Sequence, residues 1–219
     1  MDKLRLLFEK TGRAVYISHL DLMRTMQRAF LRAELPLRYS EGFNPHAQIS
    51  MLLPLPLGQE SVCELMDFRV YADCDLAAMP AQLSAVLPEG IAVRSAYEPL
   101  RKGRDLKWLR VSGRFIYDNG ATQALAEKLE QFFARESIVI LRRTKRGEGE
   151  SDIRPAIREF SAEAQGSEVL LDAVVSAQEP TLNPELLVSA LRQLAPELVP
   201  DAAYFRRTAV YDADMQEFR

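Results

Sequence analysis

Histidine is nearly absent from this chain. Among 219 residues there are two, His19 and His46, and both fall in the first quarter. Cysteine is equally scarce. Cys63 and Cys74 stand alone, too few and too widely spaced for a zinc or iron–sulfur ligand set or a disulfide framework. No Cys-x3-Cys-x2-Cys is present, so the chain does not carry a radical SAM cluster itself. It also lacks a Gly-x4-Gly-Lys-Ser/Thr phosphate loop, a Gly-x-Gly-x-x-Gly fingerprint and a Gly-x-Ser-x-Gly elbow. These gaps set aside P-loop nucleotide hydrolysis, dinucleotide-dependent redox chemistry and the α/β-hydrolase mechanism. No cofactor and no metal is expected. No apolar run approaches the roughly 18 residues of a membrane span. The first ten residues alternate charge and apolar side chains without the apolar core of a signal peptide, so a cytoplasmic protein with reduced thiols and no membrane partner is expected.

What is present is a chain able to fold. Hydrophobic residues make up 47% and charged residues 27%, which permits a packed core and argues against wholesale disorder. The net charge of −3 conceals segregation. Residues 101–114 carry six cations against one anion, and 142–158 carry six against three. From 159 to the end, four cations face eleven anions. An acidic protein can thereby present a basic face to nucleic acid, although a solvated surface with a basic loop has the same composition.

Leu4, Leu6 and Phe8 alternate with polar neighbours, so 3–9 reads as a strand. Ala14 to Ile17 reads as extended. Ser18, with Asp21 in a capping-box position, starts a helix to about Glu34. Its buried stripe is read as Leu20, Met23, Met26, Phe30 and Leu31, and Pro36 prevents continuation. Strands follow at 37–40, 48–53 and 62–71, then a helix at 76–87 opened by Asp75, then a strand at 91–97. The order is β-α-β-β-α-β. After a linker at 99–106 it recurs: strand 107–117, helix 121–135, strand 137–142, a polar glycine-containing stretch at 143–167, strand 168–177, helix 183–194 and strand 204–211. The expected fold is therefore α+β, two tandem ferredoxin-like modules with antiparallel sheets. Residues 1–100 would carry the histidine motifs and 101–219 a basic hairpin loop.

Three segments carry a resemblance. Tyr16-Ile-Ser-His-Leu-Asp-Leu-Met-Arg24, Leu35-Pro-Leu-Arg-Tyr-Ser-Glu-Gly-Phe-Asn-Pro-His46 and Leu53-Pro-Leu-Pro-Leu-Gly58 resemble the radical-SAM-linked bacterial family, a domain of unknown function. The match is specific over 1–100 and looser beyond, where Asp152-Ile-Arg-Pro155 also fits. The resemblance implies a companion of, or fusion to, a B12-binding radical SAM protein, and it implies no reaction. A more distant similarity, in fold order and the strand-to-helix histidine, is to RAMP-type CRISPR RNA-processing proteins. This chain departs from them in lacking a glycine-rich loop near the C-terminus, which weighs against their mode of RNA binding.

The candidate ligand-binding residues are Ser18, His19, Asp21, Tyr39, Phe43, Asn44 and His46. His19 in the first turn of a helix would sit where the dipole favours an anion and a neutral imidazole. Ser18 and Asp21 are equally explained as capping groups. His46 follows a stiff Asn44-Pro45 turn. If the flanking strands pair, both imidazoles could face one spot and act as base and acid on RNA. Tyr16, Tyr39 and Phe43 could stack bases where exposed. Strand-position aromatics usually enter the core, the competing reading for Tyr16 and Tyr39, and Trp108 reads as core. Arg24, Arg28, Arg101, Lys102, Arg143 and Lys145 are the candidate phosphate contacts, with a solvated helix face and a plain hairpin as the alternatives. The leading expectation is an accessory, substrate-recognition protein that works with a radical SAM enzyme and binds RNA. The rivals are a metal-independent endoribonuclease with His19 as general base, and a protein-interaction scaffold.

Overall fold

A computed structural model describes residues 3–144 and 147–219, at 143 and 144 the backbone alone. The chain is α+β, with antiparallel strands and, among the described residues, four α-helices. Two compact units divide it: one holds the residues up to Asp105 together with Arg219, the other Leu106–Phe218.

In the N-terminal unit, β1 (Leu4–Lys10) alternates so that Leu4, Leu6 and Phe8 share one face. The chain then makes a 3-10 turn over Gly12–Tyr16, where an extended segment was expected. Lys10 explains the turn. Its buried ammonium donates to the carbonyls of Ile17 (2.8 Å) and Val15 (3.3 Å), which draws the segment back over the end of β1. Helix α1 (His19–Arg32) follows. It buries Leu22, Met26, Ala29 and Phe30, an i, i+4, i+7, i+8 stripe. Met26 and Phe30 were expected in the buried stripe, and Leu22 and Ala29 were not. Leu20 is 66% and Leu31 75% exposed, while Leu22 packs into the core against the sheet. Beyond α1 come β2 (Ile49–Met51), β3 (Glu60–Phe68), α2 (Met79–Ser84) and β4 (Ile91–Tyr97). Helix α2 is shorter than expected. Asp75 accepts from the amides of Ala77 and Ala78 and so holds a turn ahead of the helix.

The strand order is β4-β1-β3, with β2 also paired to β3, and each pairing is antiparallel. One core joins Leu6, Phe8, Met26, Phe30, Met66 and Phe68 beneath α1 and α2. The rings of Phe30 and Phe68 meet at 5.1 Å. Each such side chain contributes about 1.5–3 kcal/mol by burial, so α1 is held chiefly by its packed face.

The C-terminal unit consists of β5 (Trp108–Ile116), α3 (Gln123–Phe133), β6 (Val139–Thr144), β7 (Gly147–Asp152), β8 (Ile157–Gln165), β9 (Glu168–Ser176), α4 (Glu185–Leu194) and β10 (Ala202–Tyr211). Its strand order is β10-β5-β9-β8, again antiparallel. Two differences from expectation occur here. The strand expected at 137–142 forms, but as β6 it pairs with β7 in a separate hairpin. The strand beside β9 is β8, which lies in the stretch read as polar connection.

Candidate nucleic-acid interface

At the start of α1, the capping groups consume one another. Ser18 Oγ accepts from the Asp21 amide at 3.2 Å and donates to Asp21 Oδ2 at 2.7 Å. Asp21 Oδ1 accepts from Arg24 at 3.1 Å. The Ser18 hydroxyl first, and then Arg24, hold the Asp21 carboxyl below its usual range. Ser18, Asp21 and Arg24 therefore serve the helix terminus. His19 stands exposed beside them. Beneath lies the buried Lys10 ammonium; burial lowers its pKa, and the nearby Glu64 opposes that shift.

The second histidine belongs to a different structure. Tyr39 bridges to Ala47, closing a small hairpin. Inside it the Ser40 amide donates to the His46 carbonyl (2.8 Å), and the His46 amide donates to Ser40 Oγ (2.9 Å). Gly42, with φ +121°, takes a backbone angle that other residues rarely adopt. The loop pushes its side chains outward: Phe43 is fully exposed, Tyr39 is 47% exposed, and Asn44 and His46 are exposed.

The hairpin is anchored to the chain just past β3. The Arg38 amide donates to the Arg69 carbonyl (2.8 Å), and the Tyr71 amide donates to the Pro36 carbonyl (3.0 Å). The Gln48 amide reaches the Arg38 carbonyl (2.8 Å), and the Arg69 amide reaches the Gln48 carbonyl (3.1 Å). Leu37 and Val70 pair and point into the core, so the alternation of an extended chain turns Arg69 and Tyr71 outward. Tyr71 is 73% exposed. Lys3, Gln48, Ile49, Ser50, Asp67, Phe68 and Arg69 line an adjoining cleft of about 230 Å³. Of these lining residues, Asp67 forms a buried pair with Arg5 at 2.7 Å, and Lys3 binds the same carboxylate at 2.9 Å. Arg5 also donates to the Arg101 carbonyl (3.1 Å), which sets Arg101 near this cleft. Lys102 is exposed next to Arg101, its amide donating to Asp105 (3.0 Å). No carboxylate pairs with the side chain of Arg38 or Arg69 among the described residues.

The two histidines are not gathered. The 3-10 turn that precedes His19 is bonded to Lys10, whose partner on β3 is Ser61. The hairpin that holds His46 is bonded at Arg69. Eight residue steps of extended chain lead from Ser61 to Arg69, roughly 26 Å at ~3.3 Å per residue. The imidazoles thus belong to opposite ends of β3, and the shared pocket expected from the sequence does not form. Two clusters replace it: Ser18, His19, Asp21 and Arg24 at one end, and Tyr39, Phe43, Asn44 and His46 at the other. The second gains Arg38, Arg69 and Tyr71, which the sequence reading did not single out. Their signal was the alternation Arg69-Val70-Tyr71 at the tail of a strand, charged and aromatic on one side and apolar on the other.

Arg28 is exposed on the outer side of α1. Of the remaining expected phosphate contacts, Lys145 and the side chain of Arg143 lie outside the described residues. On β5 of the C-terminal unit, Arg110 and Arg114 face carboxylates. Arg110 binds Asp172 at 2.9 and 3.0 Å, and Arg114 binds Glu168 at 2.8 and 2.5 Å. These partners raise the pKa of both arginines and lower that of Glu168. Trp108, expected in the core, is half-buried with the Arg158 guanidinium 5.3 Å from its ring centre. The open cations of the hairpin end contrast with this neutralised surface.

Among the described residues no cluster of three or more His, Cys, Asp or Glu side chains could hold a metal ion. Cys63 is buried and Cys74 half-buried, both as free thiols. No helix is long and apolar enough to cross a membrane, among the same residues.

Comparison with known proteins adds a family. A model described as an uncharacterised protein conserved in bacteria, DUF2344, matches residues 3–184. A search of curated proteins returns no match. Among solved structures, a chain of a Cbf5-Nop10-Gar1 complex is similar at 12% identity over 94% of this chain, with a TM-score of 0.49. This chain spans 48% of that one, about half its length. An unknown protein from Galdieria sulphuraria is similar at 11% identity, over 94% of this chain and 96% of its own, with a TM-score of 0.27.

Proposed function

Given that this chain belongs to the DUF2344 family of uncharacterised proteins conserved in bacteria, we propose that it is a recognition module that grips single-stranded RNA on its hairpin end and presents it to a radical SAM enzyme. The observation that carries the RNA reading is that three exposed rings, Tyr39, Phe43 and Tyr71, stand on the hairpin and on the strand tail bonded to it, together with Arg38 and Arg69, whose side chains have no carboxylate partner among the described residues. Aromatic faces stack unpaired bases, and free guanidinium groups take up phosphates. Asn44 and His46, exposed on the same loop, offer hydrogen bonds to base edges. Arg101 and Lys102, beside the adjoining cleft, extend the track of positive charge.

We read both units as ferredoxin-like modules, supported by the parallel orders β4-β1-β3 with β2 and β10-β5-β9 with β8. The link to a B12-binding radical SAM protein rests on the motifs Tyr16–Arg24, Leu35–His46 and Leu53–Gly58. In this division of labour the enzyme supplies the chemistry and this cytoplasmic chain supplies the grip. Recognition is favoured over cleavage, because an acid–base pair from His19 and His46 would have to act across the length of β3.

Fluorescence anisotropy with an oligouridine probe tests the reading. If Arg38, Arg69 and Lys102 each neutralise one phosphate, log affinity falls with log salt at a slope of about −2, taking ~0.7 per phosphate for a single strand. Arg69→Ala then flattens the slope by about 0.7. Phe43→Ala leaves the slope alone and weakens binding about 5- to 150-fold, the range expected for one lost stack. Binding that ignores both substitutions overturns the proposal.

A further inference from the structure

The outer face of α1 carries a pattern that neither its own fold nor RNA needs. Leu20 and Leu31 are 66% and 75% exposed. They lie eleven residues apart on the helix, three turns and about 20° of rotation, so they share one stripe roughly 16 Å long. Between them, at i+4 and i+8 from Leu20, stand Arg24 and Arg28, both exposed, and Arg32 follows Leu31. The packed face, Leu22, Met26, Ala29 and Phe30, points elsewhere. At the helix start the apolar surface widens. The Gly58 amide donates to the Val15 carbonyl (3.1 Å), which brings Leu57, 64% exposed, to the turn that carries Tyr16, 75% exposed.

We infer that this stripe is a docking surface for an acidic amphipathic helix of a partner protein. A merely solvated helix face has no use for two leucines in line. A phosphate track would use the arginines and gain nothing from apolar ends. Apolar anchors three turns apart, with cations between and beside them, are the complement of a helix that carries leucines at the same interval and carboxylates between. Asp21 is the only acidic residue of α1, against three arginines, so the charge of the face is decidedly positive. Arg28 and Arg32 have no ion-pair partner among the described residues, which leaves them open to a partner's carboxylates. The stripe runs from the Ser61 end of β3, where α1 begins, toward the hairpin end, where Pro36 is bonded to Tyr71, so the variants below, read against both ligands, separate this inference from the RNA reading.

The test uses the full chain and a labelled synthetic helix of roughly 18 residues, glutamate-rich, with leucines eleven apart to match the three-turn interval. A peptide of the same composition in shuffled order is the control. The patterned peptide binds at least about tenfold tighter than the shuffled one. Leu20→Asp and Leu31→Asp each remove about tenfold or more, and Arg28→Glu weakens binding most at low salt. Phe43→Ala leaves the peptide affinity unchanged. Both leucines are exposed, so these variants keep the fold, and circular dichroism checks it. Equal affinity for the two peptides overturns the inference. So does loss of oligouridine binding in Arg28→Glu with Leu31→Asp, which would make the stripe a nucleic-acid track. Self-association of the wild type that disappears in Leu31→Asp also overturns it, in favour of a second copy as occupant.

Discussion

Replacing Asp67 by alanine should cost the N-terminal unit more than almost any other polar substitution. The Asp67 carboxylate is buried against Arg5, whose side chain is fully buried. Arg5 Nε lies 2.7 Å from one carboxylate oxygen and Nη2 3.4 Å from the other. A guanidinium does not discharge at any accessible pH, so alanine removes a carboxylate that faces a buried cation. Breaking such a pair costs about 3–5 kcal/mol. The Lys3 contact adds at most about 1 kcal/mol, since that side chain is half in water. Urea and thermal unfolding followed by circular dichroism read the loss. At ~2–4 °C per kcal/mol for a chain of this length, the melting temperature should drop by about 6–20 °C. Arg5→Met with Asp67→Leu should recover most of it, because an apolar pair of similar volume has no charge to desolvate. A single-variant cost below about 1 kcal/mol would mean that the pair is well hydrated in solution and not buried as described.

Ser18→Ala removes the α1 cap and should cost about 1 kcal/mol without changing oligouridine affinity, measured by melting and anisotropy on the same sample. A large affinity loss would return function to the His19 end. His46→Ala should weaken oligouridine binding while His19→Ala does not, an asymmetry that follows from their placement at opposite ends of β3. The Asp152 carboxylate accepts from the amides of Ile138 (2.8 Å) and Arg154 (3.0 Å) and from the Ser137 hydroxyl (3.0 Å). These bonds, Ile138 foremost, hold its pKa below the ordinary value of 3.8. The folded chain thus binds fewer protons there than the unfolded chain. The associated stability is present above the ordinary pKa and is lost as pH falls through the lowered one. The stability gap between wild type and Asp152→Ala should therefore narrow below about pH 4, and a gap that widens on acidification would refute the assignment.

Much of the architecture was legible because period-two and period-3.6 patterns are local. Leu4, Leu6 and Phe8 announce β1, and Ser18 stands at the start of α1. The misreadings each have a physical cause. Strand β8 was hidden because Ser161, Ala162, Glu163 and Ala164 alternate only weakly in hydrophobicity, as suits a strand at the end of the β10-β5-β9-β8 order. Strand β7 has no apolar side chain over Gly147–Asp152 and exists by pairing with β6. The turn at Ala14–Tyr16 depends on a lysine ammonium from the preceding strand, a contact that no periodicity encodes. In α1 the heptad-like spacing admitted either Leu20 or Leu22 as the inward residue, and only packing against the sheet decides between them. The candidate site was half visible. Tyr39, Phe43, Asn44 and His46 sit in one short motif, but Arg69 and Tyr71 join them through the Leu37–Val70 bridge, a pairing more than thirty residues apart. The separation of the histidines could not be read either, because it depends on which end of β3 each loop is tied to.

Ultraviolet crosslinking of a uridine-rich single strand to the full chain, followed by peptide mapping, tests the central claim most directly. The account predicts adducts in the peptides that contain Tyr39, Phe43 and Tyr71, lost on Phe43→Ala with Tyr71→Ala. Adducts confined to the peptide around His19, or to the C-terminal unit, would contradict it.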